Sequence, residues 1–565
     1  MLSETKKCQN CKQGFVVEPE DFDFYEKIKV PAPTFCPECR LIRRCVFYNH
    51  VNLYKKTEVI EHKKVFSGYP EEANKKIYDH DYWWSDKWNP MDYGVDVDFK
   101  KGFLEQLKEL NSSVPWPSRA VRGMVNSDYC NKASYLKNCY LCFNTNSEEN
   151  CQYCVGSNHA KDSLDCYSSP RIELCYEVND STDSFQCFNC LHIDGCRNLR
   201  FCEECSNCND CFGCFNLRNK SYHIFNEPYS KEEYFKELEK MDTGSVNGVS
   251  EIEKKFNAFK LKLPRKYIHG VHNKVVSGDY IYNSKNSLNC FEVSGCENVS
   301  YSQNFSPNVK DSYDYTNWGQ NSELVYEACC CGDNCRNIKF CFNCWPAMQD
   351  SEYCMFCHSS SSLFGCIGLR SKSYCILNKQ YTKEEYEVLV PKIIEHMKNM
   401  PYIVPSGIKY GYGEFFPVDF SPLAYNETLA AEFFPKTKKE VEKEGYLWRD
   451  KKPGEYKITV RASDLLDDIK DVKDDILKEV IQCGSCKNAY RIIEPELKFY
   501  RRFSIPLPHL CFNCRHLERR KKMNPLKLWH RHCMKEGCQN EFETSYAPDR
   551  PEIVYCEACY NNEVV

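Results

Sequence analysis

The sequence predicts a mostly β protein built from two consecutive parallel β-helix (solenoid) segments, capped by helices and flanked at both ends by small cysteine-knuckle modules. Three observations predict it: a strict period of three among the central cysteines, a segment that recurs 152 residues later, and a four-cysteine module that recurs with an offset of 475. The chain is 42% hydrophobic and 27% charged over 565 residues, which is ordinary globular composition, but it carries 40 cysteines. No basic stretch followed by an apolar run opens the chain. A reducing cytoplasm is therefore the expected location, with no membrane contact, and there cysteine clusters hold metal more often than disulfides. The net charge of −5 hides a local asymmetry, since residues 498–535 hold eleven Lys or Arg against one acid, Glu518.

The terminal modules come first in the chain. Cys8-x2-Cys11 precedes Cys36-x2-Cys39, and Cys483-x2-Cys486 precedes Cys511-x2-Cys514 at the same internal spacing. The text around them agrees as well: FYEKIKVPAPTFCPECRLIRR at 24–44 matches FYRRFSIPLPHLCFNCRHLERR at 499–520. Two short knuckles bringing four thiolates together suit tetrahedral Zn2+ and leave no position for water, so the ion is structural rather than catalytic. Cys533, Cys538, Cys556 and Cys559 make a third such set, for three structural zinc ions in all. Residues 55–95 take the corresponding place after the N-terminal copy but contain no cysteine. His62, Asp79 and His80 do not reproduce the lost spacing, so a degenerate ribbon kept for packing is expected there.

Between residues 126 and 217 lie fifteen cysteines, every separation a multiple of three, including CEECSNCNDCFGC at 202–214. An α-helix drifts off one face at that spacing, and long 3-10 helices do not occur. Pairs such as Cys130/Cys151, Cys154/Cys175 and Cys187/Cys208 add a second period, and the resulting columns exchange Cys with Ile, Ala and Leu. Interchangeable small and apolar residues indicate packing rather than ligation. The expectation is a solenoid of about 21 residues per coil, with Cys208 stacked over Cys187 and Cys166. A period of three requires very short strands with bends between inward positions. The ferredoxin run C-x2-C-x2-C-x3-C-P is missing, which disfavours an iron–sulfur cluster.

FGCFNLRNKSYHIFNEPYSKEEY at 212–234 recurs as FGCIGLRSKSYCILNKQYTKEEY at 364–386, and each copy ends in a capping-box start, Ser230-x-x-Glu233 and Thr382-x-x-Glu385. The organisation that follows is a zinc ribbon over 1–54, the degenerate ribbon over 55–95 and a helix or linker over 96–125. The first solenoid with its capping helix spans 126–242, a linker helix ending near Pro264 spans 243–272, and the second solenoid with its cap spans 273–400. A Pro- and aromatic-rich connector covers 401–462, an acidic amphipathic helix 463–481, and zinc ribbons 482–528 and 529–565. In the acidic segment Leu465, Ile469, Val472, Ile476 and Val480 share one helical face.

The PAPTFCPECRLIRR knuckle, WWSDKWNPMDYG at 83–94, the two LRxKSY...KEEY ends and the NEFETSYAPDRPEIVYCEACY tail carry a resemblance that covers nearly the whole chain. The chain resembles a family of long, uncharacterised, cysteine-rich zinc-ribbon proteins frequent in uncultivated, small-genome bacterial lineages. The resemblance brings no established activity. Members sometimes bear a CoA-transferase-type label, and no motif here supports acyl-CoA chemistry.

The function expected from the residues is non-enzymatic binding of nucleic acid, RNA foremost, or of a nucleoprotein through the basic ribbons. Arg515, Arg519, Arg520, Lys521, Lys522, Lys527 and Arg531 interleave with Trp529, and the N-terminal copy offers Arg40, Arg43 and Arg44. Such a mixture neutralises phosphates and stacks on bases. The alternatives are a zinc-stabilised protein–protein scaffold with partners along the solenoid surface, and a β-helix enzyme acting on polysaccharide. The last would need paired carboxylates, and no catalytic residue is assigned.

Overall fold

The computed structural model describes residues 2–49, 51–304, 307–450 and 456–564. The fold is mostly β, with two parallel solenoids between terminal ribbons. Left-handed corners explain the period of three: from Lys132 to Phe225 every third residue has a positive φ, whatever its side chain. Each triplet places one residue inward, passes through a second, and bends at the third. Asn, Asp and Gly tolerate that bend best, and they hold many of the corners. At one edge the corner amides form a ladder, Asn126 to Asn138, Asn138 to Asn150 and Asn150 to Asp162, with amide-to-oxygen distances of 3.0, 3.1 and 2.8 Å.

Strand register shows that four triplets close a coil. Val121 pairs with Ala133, Tyr176 with Phe188 and Arg197 with Asn209, each 12 residues on. The coil is therefore 12 residues long rather than about 21. Any offset divisible by three lands on an inward position, so an offset of 21 joins different walls of neighbouring coils. Cys208 sits over Cys196, not over Cys187. One wall reads Cys130, Cys142, Cys154, Cys166, Val178, Cys190, Cys202 and Cys214, all buried. The thiols act as weak donors to carbonyls within the stack, Cys166 to Leu164 at 3.2 Å and Cys154 to Ser163 at 3.5 Å. That is the behaviour of packed thiol side chains.

The second solenoid mixes coils of 12 residues, as in Lys285 with Glu297, and 13, as in Cys296 with Val309 and Val309 with Ser322. The extra residues produce the phase slip among its cysteines. Here burial above all pushes the Cys290 and Cys335 thiols up, with neighbouring thiols adding to it, and burial takes Cys296 up to about 12. Each stack ends in an antiparallel hairpin, Ser221–Ile224 with Glu227–Pro228 and Ser373–Ile376 with Lys379–Gln380. A helix follows each hairpin, Lys231–Leu238 or Lys383–Asn399, and both capping boxes are formed. The linker helix spans Val246–Lys260.

The expected acidic helix over 463–481 is not formed. The segment makes three 3-10 turns, Ala462–Asp464, Ile469–Asp471 and Asp474–Lys478, joined by extended residues. Its aspartates favour caps over helix interiors, and the Asp468 carboxylate accepts from the Lys470 amide to start the second turn. Among the described residues no helix is long and apolar enough to cross a membrane.

The halves cross over. The N-terminal ribbon helix, Pro37–Cys45, packs on strands Val309–Thr316 and Ser322–Cys329 of the second solenoid. The C-terminal ribbon helix, Phe512–Lys521, lies on the first solenoid, where Phe512 stacks against Phe143. The ribbons that follow pair with the strands leading into the solenoids, Ile77–Tyr78 with Trp116–Pro117 and Val554–Tyr555 with Arg265–Lys266. The two halves therefore dock their ribbons in corresponding ways.

Candidate metal centres and the ribbon–solenoid interface

Three four-cysteine clusters form from the residues expected. In each of Cys8/Cys11/Cys36/Cys39, Cys483/Cys486/Cys511/Cys514 and Cys533/Cys538/Cys556/Cys559 the sulfurs all lie within 4.8 Å of one another. The local folding that does this repeats. A two-stranded hairpin, Glu4–Lys7 with Gly14–Val17, carries the first knuckle, and Cys36 caps the helix that brings the second. Cys511 has the same place before Phe512–Lys521. Hydrogen bonds aimed at sulfur prepare the sites: the Cys511 amide donates to Cys483 Sγ at 3.3 Å, the Cys556 amide to Cys533 Sγ at 3.3 Å, and Asn540 Nδ2 to Cys556 Sγ at 3.4 Å. Burial opposes ionisation of Cys483, but the amides of Cys511, Cys486 and Ser485 outweigh it and bring the thiol down to about 7. These are closed four-sulfur clusters that could each hold a metal ion.

The degenerate ribbon keeps the fold and replaces the metal. Tyr54–Thr57 pairs with Lys64–Ser67 as Trp529–His532 pairs with Glu541–Thr544. Where the C-terminal ribbon has Cys533 this one has Glu58, which is buried. Its carboxylate accepts from the amides of Ile60 at 2.7 Å and Glu61 at 2.6 Å, holding the knuckle as a bound thiolate would. His62, Asp79 and His80 are not gathered into a metal cluster. Instead Asp79 caps the helix His80–Trp84.

The basic residues divide sharply. Arg40, Arg43, Arg44, Arg515 and Arg519 are buried. In the N-terminal clasp Arg40 Nε lies 2.9 Å from Asp314, and Arg44 NH1 lies 3.0 Å from Asp314 and 3.1 Å from Glu327. Arg43 reaches Glu327 at 2.5 Å and Glu414 of the connector at 2.8 Å. In the C-terminal clasp Arg515 Nε lies 3.0 Å from Asp165, and Arg519 NH1 lies 2.8 Å from Asp165 and 2.7 Å from Glu177. Arg520 reaches Glu292 at 2.8 Å and stacks over Tyr167 and Phe433.

The two clasps are the same device. Arg40 and Arg44 correspond to Arg515 and Arg519, and Asp314 and Glu327 correspond to Asp165 and Glu177, at left-handed corners of their coils. In this fold these arginines are therefore out of reach of a phosphate. Most of their counter-charges come from the opposite solenoid, hundreds of residues away. Acids at matching corners of the two repeated solenoids were the signal that sequence reasoning passed over. Lys521, Lys522 and Lys527 are exposed. Lys521 lies 2.7 Å from Glu518, Lys527 stands over the Trp529 ring, and Arg531, half-buried, donates to the Ala547 carbonyl at 3.2 Å.

Comparison with known proteins adds little to this geometry. No family model matches the chain, and no curated protein matches it. Among solved structures, a "putative acetyltransferase from Desulfovibrio desulfuricans G20" aligns over 51% of this chain and 76% of its own, at 9% identity and a TM-score of 0.10. A score that low carries no argument about fold or activity.

Proposed function

We propose that the chain is a non-enzymatic cytoplasmic scaffold. In this reading the two solenoids are clasped by terminal ribbons, each four-cysteine centre holds a structural zinc ion, and protein partners bind along the solenoid walls. Four thiolates in a closed set favour zinc. The observation that carries the scaffold reading is the inward turn of the ribbon arginines. The residues that would bind phosphate instead fix one half of the molecule to the other. The exposed wall charges also neutralise one another from coil to coil, Lys137 with Glu149 at 2.7 Å and Arg171 with Asp183 at 2.6 Å, which leaves extended surfaces of mixed charge suited to protein contact.

Exposed Lys521, Lys522 and Lys527, the last standing over the Trp529 ring, keep RNA binding as a second reading. Titrating single-stranded RNA into the full-length protein separates the two. The scaffold reading expects no salt-dependent binding at low ionic strength. Binding with a log–log salt slope of roughly 0.7 per contact, abolished by Lys521→Ala, Lys522→Ala and Lys527→Ala together, would overturn it in favour of RNA.

A further inference from the structure

Two clusters outside the ribbons have the composition of a metal site, Cys139/Cys142/Glu148 in the core of the first solenoid and His192/Glu204/His269 at its flank, and the second brings two imidazoles to a carboxylate. His192 and Glu204 lie on adjacent coils of the first solenoid, and His269 lies on the lead-in to the second. One ligand atom from each falls within 4.8 Å of the others. The imidazole rings are 4.5 Å apart between centroids. His192 Nδ1 lies 3.0 Å from Asp180, and His269 Nδ1 lies 2.9 Å from Asp279, so Nε2 is the nitrogen each ring has left to offer. His269 Nε2 lies 3.3 Å from Glu204 and 3.0 Å from the Tyr546 hydroxyl.

Both aspartates are themselves fixed. Tyr282 donates to Asp180 at 2.9 Å, and Ser545 and Asn524 both donate to Asp279. A carboxylate holding the far nitrogen of each imidazole sets the tautomer and ring orientation that metal-binding histidines need.

The other half of the molecule supplies an internal control. Asn131 Oδ1 accepts from the amides of Ala120 at 3.1 Å and Lys132 at 2.9 Å, as Asp279 Oδ1 accepts from those of His269 at 2.7 Å and Tyr280 at 2.9 Å. Ala120 and Asn131 are thus the counterparts of His269 and Asp279. Asn343 and Phe356 take the corner positions of His192 and Glu204. These four residues line a single cavity at the equivalent place. The backbone is the same on both sides, so the fold does not require His, His and Glu there. The three candidate ligands and one of their supporting aspartates occur together on one side and are replaced together on the other.

We infer that His192, Glu204 and His269 bind a divalent transition-metal ion of the zinc or iron(II) type, with Asp180 and Asp279 positioning the imidazoles. Two imidazoles and a carboxylate suit these ions, and three protein ligands leave a coordination position open.

The test compares metal content in full-length parent and variant protein, equilibrated with Zn2+ alone or, under anaerobic conditions, Fe2+ alone, and freed of excess ion. His192→Asn with His269→Ala installs residues that the chain itself carries at the equivalent positions, and His192→Asn with Glu204→Gln is the milder alternative. Each variant should hold one ion fewer per chain than the parent. The difference decides, so an incompletely loaded ribbon does not disturb the reading. Asp180→Asn should retain the site and weaken its affinity about 10- to 100-fold. Equal metal content in parent and both folded variants, with either ion, would show the cluster to be a charge-paired histidine network and overturn the assignment.

Discussion

Replacing Arg519 by Met tests the clasp directly. The guanidinium is buried and gives charge-assisted hydrogen bonds to Asp165 and Glu177 at 2.8 and 2.7 Å. Met fills similar volume but leaves two carboxylates facing each other under the ribbon helix. Removing one partner of a buried pair costs about 3–5 kcal/mol. Arg515 still holds Asp165 at 3.0 Å, so the lower end, about 3 kcal/mol, applies here. At 1.4 kcal/mol per tenfold, opening of the ribbon helix from the solenoid should become roughly 100-fold more frequent. Native-state hydrogen exchange over 512–521 reads this without assuming two-state unfolding, which a chain of this size does not satisfy. Adding Glu177→Gln should recover part of the loss, because the stranded charge is gone. A change under about 1 kcal/mol, the value of an exposed ion pair, with no rescue by the second substitution, would refute the clasp.

Other expectations follow from the same structure. Cys8→Ser should remove one metal ion per chain by elemental analysis and release the N-terminal helix from the second solenoid, seen as faster exchange over 37–45, while the central thiols stay metal-free. Cys175 packs in a column between Ser163 and Cys187, so Cys175→Ala should cost on the order of 1 kcal/mol and Cys175→Asp should prevent folding of that coil, read by thermal unfolding and soluble yield. His358 is buried, bonded to the Trp345 carbonyl and set against Trp83 and Trp84, and burial holds its pKa down to about 3. The unfolded chain takes up a proton below about 6.5 that the folded one does not. This residue therefore adds nothing to the pH dependence above that value, and stability falls by about 1.4 kcal/mol per pH unit from 6.5 toward 3. Urea midpoints of parent and His358→Phe should diverge in that window and run parallel above pH 7. Parallel midpoints throughout would contradict the buried neutral imidazole.

The ribbons were legible because ligand spacing is a local property, repeated here in identical form at both ends. The solenoids were legible from the period of three, and their helical ends from Ser230 and Thr382. Coil length was not, because a period of three is compatible with every multiple of three, and only hydrogen-bond register distinguishes 12 from 21. The corners left a readable trace in the third-position Asn, Asp and Gly residues, obscured by Tyr, Leu and Phe in the same conformation at Tyr135, Leu141 and Phe201. The acidic segment shows helical spacing of its apolar residues, yet local capping by Asp468 and docking of Ile469, whose amide donates to the Gly244 carbonyl at 3.0 Å, overrode it. The arginines looked solvent-facing because Asp165 and Asp314 lie far away along the chain, and Glu58 replaced a cysteine with nothing in its neighbours to mark the exchange.

The crossing of the halves has a consequence for how the protein comes into being. Arg40 must wait for Asp314, 274 residues later, and Asp165 for Arg519, 354 residues later. At roughly 5–20 residues per second on the ribosome, the first ribbon stays undocked for some tens of seconds, and the first solenoid keeps its acidic corners bare until the last segment emerges. A product cut short after the connector would close the first clasp and never the second. Closure of the second clasp therefore reports that synthesis passed the helix Phe512–Lys521, and termination before it would leave the carboxylates of Asp165 and Glu177 exposed as its mark.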